Sequence, residues 1–159
     1  MCGILALYNP KADVAKDIYD GLIQLQHRGQ DAAGISSLDS SIMHLHKDTG
    51  LVTEVFKKTK SKVNLTGNLG IGHVRYPTAG NNDVNDSQPF FTSNPVNIAL
   101  AHNGTLTNSD SIRDKLIKTH FCQFNTSSDS EALLNLFAFE LYKTNFRRLT
   151  KNHVIKALK

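Results

Sequence analysis

The sequence predicts an α+β fold, on three observations. Residues 3–8, GILALY, are apolar on both alternating faces, as a strand covered on both sides must be. Further short strand-like runs recur up to residue 102. Helical spacing of apolar residues appears between the first two of these strands and again, behind helix-start signals, beyond residue 102, and a chain that combines several short strands with helices reads as α+β. A strand apolar on both faces needs helices on one side and a second sheet on the other, so a layered arrangement is expected.

The first strand ends at a turn, Asn9-Pro10, after which Ala15, Ile18, Leu22 and Leu25 form a helical stripe that stops near Gly29. AGISSL at 33–38 and IMHLH at 42–46 read as two short strands, and Gly50 lies in the connection to residues 51–56. Leu69 to Arg75, LGIGHVR, is the next strand, and its glycines imply that something approaches the backbone closely. Pro77, Gly80, Asn81, Asn82, Asn85 and Pro89 mark a long irregular loop, the kind of segment that carries function when it is ordered. Residues 97–102, NIALAH, read as a strand running into Asn103-Gly104. A helix follows, started by Thr107 with Asp110 and carrying Ile112 and Leu116. In the next helix Ser128 and Glu131 bracket a capping box, and Leu133, Leu134, Phe137 and Leu141 supply the apolar stripe. NHVIKALK, residues 152–159, reads as a last helix. No strand is left after it to complete a second sheet, so the chain is expected to be part of a longer protein.

At 159 residues and 40% hydrophobic content the chain can bury one real core. No apolar run approaches the roughly 20 residues that span a bilayer, and the start lacks a signal peptide's features. A cytoplasmic location without a membrane partner is therefore expected. In that compartment Cys2 and Cys122 are expected to stay unpaired, and no CxxC or Cys/His cluster points to a metal. The net charge of +4 raises the question of nucleic acid. The basic residues gather at 57–62 and from Arg147 to Lys159 without interleaved aromatics to stack bases, which marks solvated surface. No nucleic-acid partner is expected.

The chemistry concentrates in four polar clusters at strand ends or in loops: Cys2-Gly3, Arg75-Tyr76-Pro77-Thr78, Asn103-Gly104 and Ser128-Asp129. Removal of Met1 would leave Cys2 with a thiol and a free α-amine, a nucleophile and a base on one residue. An α-amine titrates near ~7.7 to 8.0, so a useful fraction is unprotonated at neutral pH. The Asn103 amide and the Gly104 N–H can donate to the oxyanion formed when a thiolate attacks a carbonyl. Arg75 can hold a carboxylate in a two-point fork, and Asp129 can pair with an ammonium. Together these groups would bind an amino acid by both ends and hydrolyse an amide at its side chain. Singly, each has a plainer account. Cys2 can be a small apolar residue opening a buried strand, Arg75 a surface ion pair, Asn103-Gly104 a turn, and Asp129 a helix-start residue. Residue type alone leaves both accounts open.

The strings MCGI, LQHRGQDAAGI, GIGHVRYPTAG, QPF, LAHNGTLTN and SSDSEALL run in order from Met1 to about Leu149. They resemble the N-terminal glutaminase domain of the glutamine phosphoribosylpyrophosphate amidotransferases, a family of class II glutamine amidotransferases. The resemblance implies the four-layer αββα sandwich of N-terminal nucleophile hydrolases, incomplete at the C-terminus. Residues 1–159 would be a partial type-2 glutaminase domain, with the phosphoribosyltransferase domain absent.

Carried over residue by residue, the resemblance makes Cys2 the nucleophile and its own α-amine the base. It assigns the oxyanion hole to Asn103 and Gly104, the glutamine α-carboxylate to Arg75 and the α-amine to Asp129. Tyr76 and Thr78 would belong to a loop that closes over glutamine, and Arg28 and Gly29 to structural support of the nucleophile. Attack on the side-chain amide would release ammonia and leave a γ-glutamyl thioester for water to hydrolyse. In the family, that ammonia converts phosphoribosylpyrophosphate to phosphoribosylamine for purine synthesis. No cofactor is implied for this chain, since Mg2+ and phosphoribosylpyrophosphate belong to the absent domain, and the full-length family is expected to be homo-oligomeric. Tyr76-Pro77, with no histidine after Thr78, differs from the glucosamine-6-phosphate synthases, where a Trp and a His are expected. The glutaminase domain of such a synthase and a non-catalytic fragment are the alternatives.

Overall fold

The computed structural model of the protein describes residues 1–57, 65–76, 83–120 and 122–159. The fold is α+β, and the chain divides into two compact units, Met1–Phe90 with Ala99–Gly104, and Phe91–Ile98 with Thr105–Lys159.

The first unit is built on a four-stranded antiparallel sheet of β1 (Gly3–Tyr8), β2 (Ala32–Asp39), β3 (Ile42–Thr49) and β4 (Leu69–Arg75), in the order β1-β4-β2-β3. Helix α1 (Ala15–Leu25) buries Ile18 and Leu22 on this sheet, in one core with Val14, Ala33, Ile35 and Val74. Residues 51–56, given no element from the sequence, lie largely in a short helix, α2 (Val52–Lys57), which adds Val52 and Val55 to that core. Gln26 ties the two helices together, its Oε1 accepting from Val52 N at 2.7 Å.

The close approach expected at the β4 glycines is made by α1. A Cβ on Gly72 would sit 2.5 Å from Ile18 Cγ2 and 2.9 Å from Leu22 Cδ1, so only a residue without one lets the helix lie this near. Strand alternation sends Leu5 and Leu7 toward the same core and leaves Ile4 38% and Tyr8 66% exposed on the other face. The described residues of this unit thus cover one of the two apolar faces that β1 presents.

The second unit contains α3 (Ser109–His120), α4 (Asp129–Lys143) and α5 (Lys151–Ala157). Between α2 and α3 in the chain, β5 (Phe90–Thr92) and β6 (Ile98–Leu100) pair in a two-stranded sheet. The strand expected at 97–102 shortens to β6, and β5, three residues long, is too brief to show a periodicity. Asn108 rather than Thr107 occupies the cap position of α3, because its carbonyl accepts the first helical bond from Ile112 N at 3.1 Å.

The capping box expected at Ser128 and Glu131 does not form. Ser128 Oγ accepts from Ser130 N at 3.3 Å, and the N–H that Glu131 would reach, that of Ser128, already donates to Thr126 Oγ1 at 3.1 Å. Glu131 turns instead to the preceding segment, accepting from Asn125 N at 2.9 Å and Thr126 N at 2.8 Å. The buried stripe of α4 is Ala132, Leu134, Ala138 and Leu141, while Leu133 and Phe137 of the expected stripe are half-buried. Cys122 is half-exposed in the connection from α3, and burial pushes its thiol pKa up. Of the sequence expectations, Pro77, Gly80, Asn81 and Asn82 of the long loop and the basic run at 58–62 lie outside the described residues.

Candidate active site

Sheet register gathers one group of candidate residues at a single edge of the first unit. In the antiparallel ladders Gly3 lies opposite Val74, and Ala32 lies opposite Arg75. The start of β1, the end of β4 and the segment before β2 therefore meet there, bringing Cys2, Arg28, Gly29, Arg75 and Tyr76 together. Cys2 is half-buried, and its Sγ accepts a hydrogen bond from Tyr76 N at 3.3 Å, which fixes where the sulfur points.

The Cys2 carbonyl is held from two sides. Arg28 Nε donates to it at 3.2 Å, and Asn103 Nδ2 donates at 3.2 Å. On its other side the Asn103 amide meets His73, whose Nε2 lies 3.1 Å from Asn103 Oδ1. His73 is 1% exposed. That burial, with the Arg75 charge adding to it and the Asn103 bond opposing it, lowers its pKa from 6.5 to about 4. The imidazole is therefore neutral at physiological pH.

The backbone leading into Asn103-Gly104 is clamped by Gln88. Its Oε1 accepts from His102 N at 2.7 Å and its Nε2 donates to His102 O at 3.1 Å, so one side chain holds both polar groups of that residue. Asn103 and Gly104 themselves are exposed. Neither His73 nor Gln88 was given a role from the sequence. Strand alternation was the available signal for His73, which lies two residues before Arg75 and hence on the same face. Gln88 carried no such signal, because its partner is a backbone brought near only by folding.

Asp129 belongs to the second unit, as the first residue of α4. Its Oδ2 accepts from Leu106 N at 2.7 Å and its Oδ1 from Ser130 Oγ at 3.2 Å, in a position where the helix dipole favours a carboxylate. Thr78 lies outside the described residues. Among the described residues no group of three or more His, Cys, Asp or Glu side chains could hold a metal ion, and no helix is long and apolar enough to cross a membrane.

Residues 73–152, which include His73, Arg75, Asn103, Gly104 and Asp129, match the family model described as glutamine amidotransferase domain. The chain is 44% identical over 158 residues to the amidophosphoribosyltransferase of Pseudomonas aeruginosa, a match covering 99% of this chain and 31% of that protein. It is 50% identical over 148 residues to the amidophosphoribosyltransferase of Escherichia coli, covering 92% of this chain and 28% of that protein. It is also similar to the solved glutamine phosphoribosylpyrophosphate amidotransferase from B. subtilis, complexed with ADP and GMP. That match has a TM-score of 0.75 at 35% identity, over 99% of this chain and 32% of that one. The chain thus spans less than a third of the length of the relatives it matches. Because the family model takes in half of the sequence, including the strand end and the turn that meet at Cys2, the chain belongs to the glutamine amidotransferase domain family.

Proposed function

We propose that this chain hydrolyses the side-chain amide of glutamine to glutamate and ammonia. In a whole protein of its relatives' kind, the ammonia would convert phosphoribosylpyrophosphate to 5-phosphoribosylamine in purine biosynthesis. The observation that carries the reading is the setting of Cys2, with its sulfur 3.3 Å from Tyr76 N and its carbonyl 3.2 Å from Asn103 Nδ2. A thiol with an amide N–H donor held beside it supplies the nucleophile and an oxyanion donor, which acyl transfer through a thioester requires.

The steps follow from these residues. Met1 is 78% exposed and open to removal, which frees the Cys2 α-amine to take the thiol proton. The thiolate attacks the glutamine amide carbon, and Asn103 and Gly104 donate to the oxyanion, a contribution of about 3 kcal/mol per preorganised donor. Collapse expels ammonia, which takes its proton from the α-ammonium of Cys2. Water then cleaves the γ-glutamyl thioester, so glutamine and water become glutamate and ammonia. Arg75 is assigned the substrate α-carboxylate, Asp129 the α-amine, and Tyr76 with Thr78 the loop over the substrate. Arg28, with its bond to the Cys2 carbonyl, and Gly29 are assigned support of the nucleophile. No cofactor enters these steps, and Mg2+ is assigned to phosphoribosylpyrophosphate chemistry elsewhere in the whole protein. We place that protein in the cytoplasm as a homo-oligomer, without membrane or nucleic-acid partners.

Ammonia release from glutamine tests the reading, once intact mass shows that Met1 is gone. Release that Cys2→Ser abolishes is the expected result. Release that survives Cys2→Ser, or none at all from the processed parent, would overturn it.

A further inference from the structure

His73 is buried beside the site and takes no part in the steps above. Its geometry nevertheless constrains them. The Cys2 carbonyl can only accept, so the Asn103 group facing it at 3.2 Å is the NH2 end of the amide. The oxygen end then faces His73 Nε2 at 3.1 Å, and an oxygen needs a donor there. His73 is therefore the tautomer that carries its proton on Nε2. Its Nδ1 is buried with no partner among the described residues, so a proton placed on that nitrogen would be stranded.

The amide of an asparagine has nearly the same shape with its oxygen and nitrogen exchanged. Packing alone does not choose between the two orientations, and only hydrogen bonds do. In the wrong orientation Asn103 would present oxygen, an acceptor, to a developing oxyanion. We propose that His73 is a positioning residue that locks the Asn103 amide with its NH2 toward the reacting carbonyl. The inference rests on the reading of Cys2 as the glutaminase nucleophile. Its support is independent of that reading, because it comes from a buried strand residue fixed in register opposite Ile4 and Gly34.

The test compares His73→Leu, His73→Asn and His73→Gln in the intact protein. Leu removes the donor, and Asn carries an amide too short to reach Asn103. Gln can place an amide nitrogen near the position of Nε2. We expect kcat to fall by about tenfold to a hundredfold in Leu and Asn, with KM for glutamine unchanged, and to recover in part in Gln. Alkylation of Cys2 by iodoacetamide, a displacement that forms no oxyanion, should run at the parent rate in all three. Should His73→Leu fail to fold, the Asn and Gln pair makes the same comparison. Parent-like kcat in the Leu and Asn variants, or a loss shared equally by turnover and alkylation, would overturn the proposal. Nitrogen NMR of His73 reads the lock without turnover. An Nε2-protonated ring whose signal shifts in Asn103→Ala supports it, and an Nδ1-protonated ring overturns it. A parent that is alkylated at Cys2 but releases no ammonia refutes the glutaminase reading, and the NMR measurement still decides the role of His73.

Discussion

Gly29 packs its Cα against the main chain of Arg75, where a Cβ would lie 2.5 Å from the Arg75 carbonyl carbon and 2.6 Å from its oxygen. Two residues on, Asp31 N donates to that same oxygen at 3.0 Å. Gly29→Ala must therefore push the end of β4 outward, carrying Arg75 and the Tyr76 N–H away from the Cys2 sulfur. Overpacking of this kind costs about 1–3 kcal/mol. The expected result is a lower Tm together with a raised KM for glutamine. If thermal unfolding and ammonia release both match the parent, the contact relaxes without consequence.

The two cysteines should behave differently. Cys2→Ala is expected to lose glutaminase activity entirely, and Cys122→Ser to keep it, since burial raises the Cys122 thiol pKa and leaves less of it as the reactive thiolate. Peptide mapping after treatment with an alkylating glutamine analogue checks this. Label on Cys122 with Cys2 spared would reverse the assignment.

Arg75→Lys keeps the charge but loses the planar fork. A rise in KM of about tenfold, or ~1.4 kcal/mol, is expected, with kcat less affected. Asp129→Asn should weaken glutamine similarly while leaving Tm near the parent's, because an amide oxygen can still accept from Leu106 N. Steady-state kinetics beside thermal unfolding separates binding from folding. Parent-like KM in both variants would make the two residues structural only.

Glu131 is 6% exposed and accepts from Asn125 N, Asn125 Nδ2, Thr126 N and Thr126 Oγ1, at 2.9, 3.3, 2.8 and 2.8 Å. Glu131→Ala strands two backbone donors, so a loss of about 3 kcal/mol in unfolding free energy is expected. Glu131→Gln keeps one acceptor and should lose less. Urea titration of both variants measures the difference, and an Ala variant as stable as the parent would mean that water replaces the carboxylate at no cost.

The depressed pKa of His73 makes stability depend on acid. Above pH 6.5 the ring is neutral in both folded and unfolded chains and contributes no pH dependence. Between 6.5 and about 4 the unfolded ring takes up a proton that the folded one refuses, so the folded state loses stability as pH falls. The full loss below that window is roughly 3 kcal/mol. Subtracting the stability profile of His73→Gln from that of the parent isolates this contribution. A difference that stays flat from pH 7 to 4 would show that the ring titrates normally.

Much of the framework was legible because its causes are local. The two-sided apolar pattern of residues 3–8, the Ile18 and Leu22 stripe and the glycines of β4 each express a periodicity or a missing side chain that any short window reveals. The same locality misled at Glu131. A capping box is a pattern within four residues, but the N–H it needed had already been taken by Thr126 Oγ1 at 3.1 Å.

Residue identity by itself determined the kind of chemistry: a cysteine that removal of Met1 would make N-terminal, an arginine at a strand end and an Asn-Gly turn, recognisable together by their order in the chain. Tertiary structure decided how those groups are held. Asn103 reaches the Cys2 carbonyl across 101 positions of sequence, and His73 reaches Asn103 across 30. Contacts of that span depend on strand register and on which way the Asn103 amide is turned. Both are set by the whole sheet and its covering helix rather than by any neighbouring residue, so no reading along the chain could supply them.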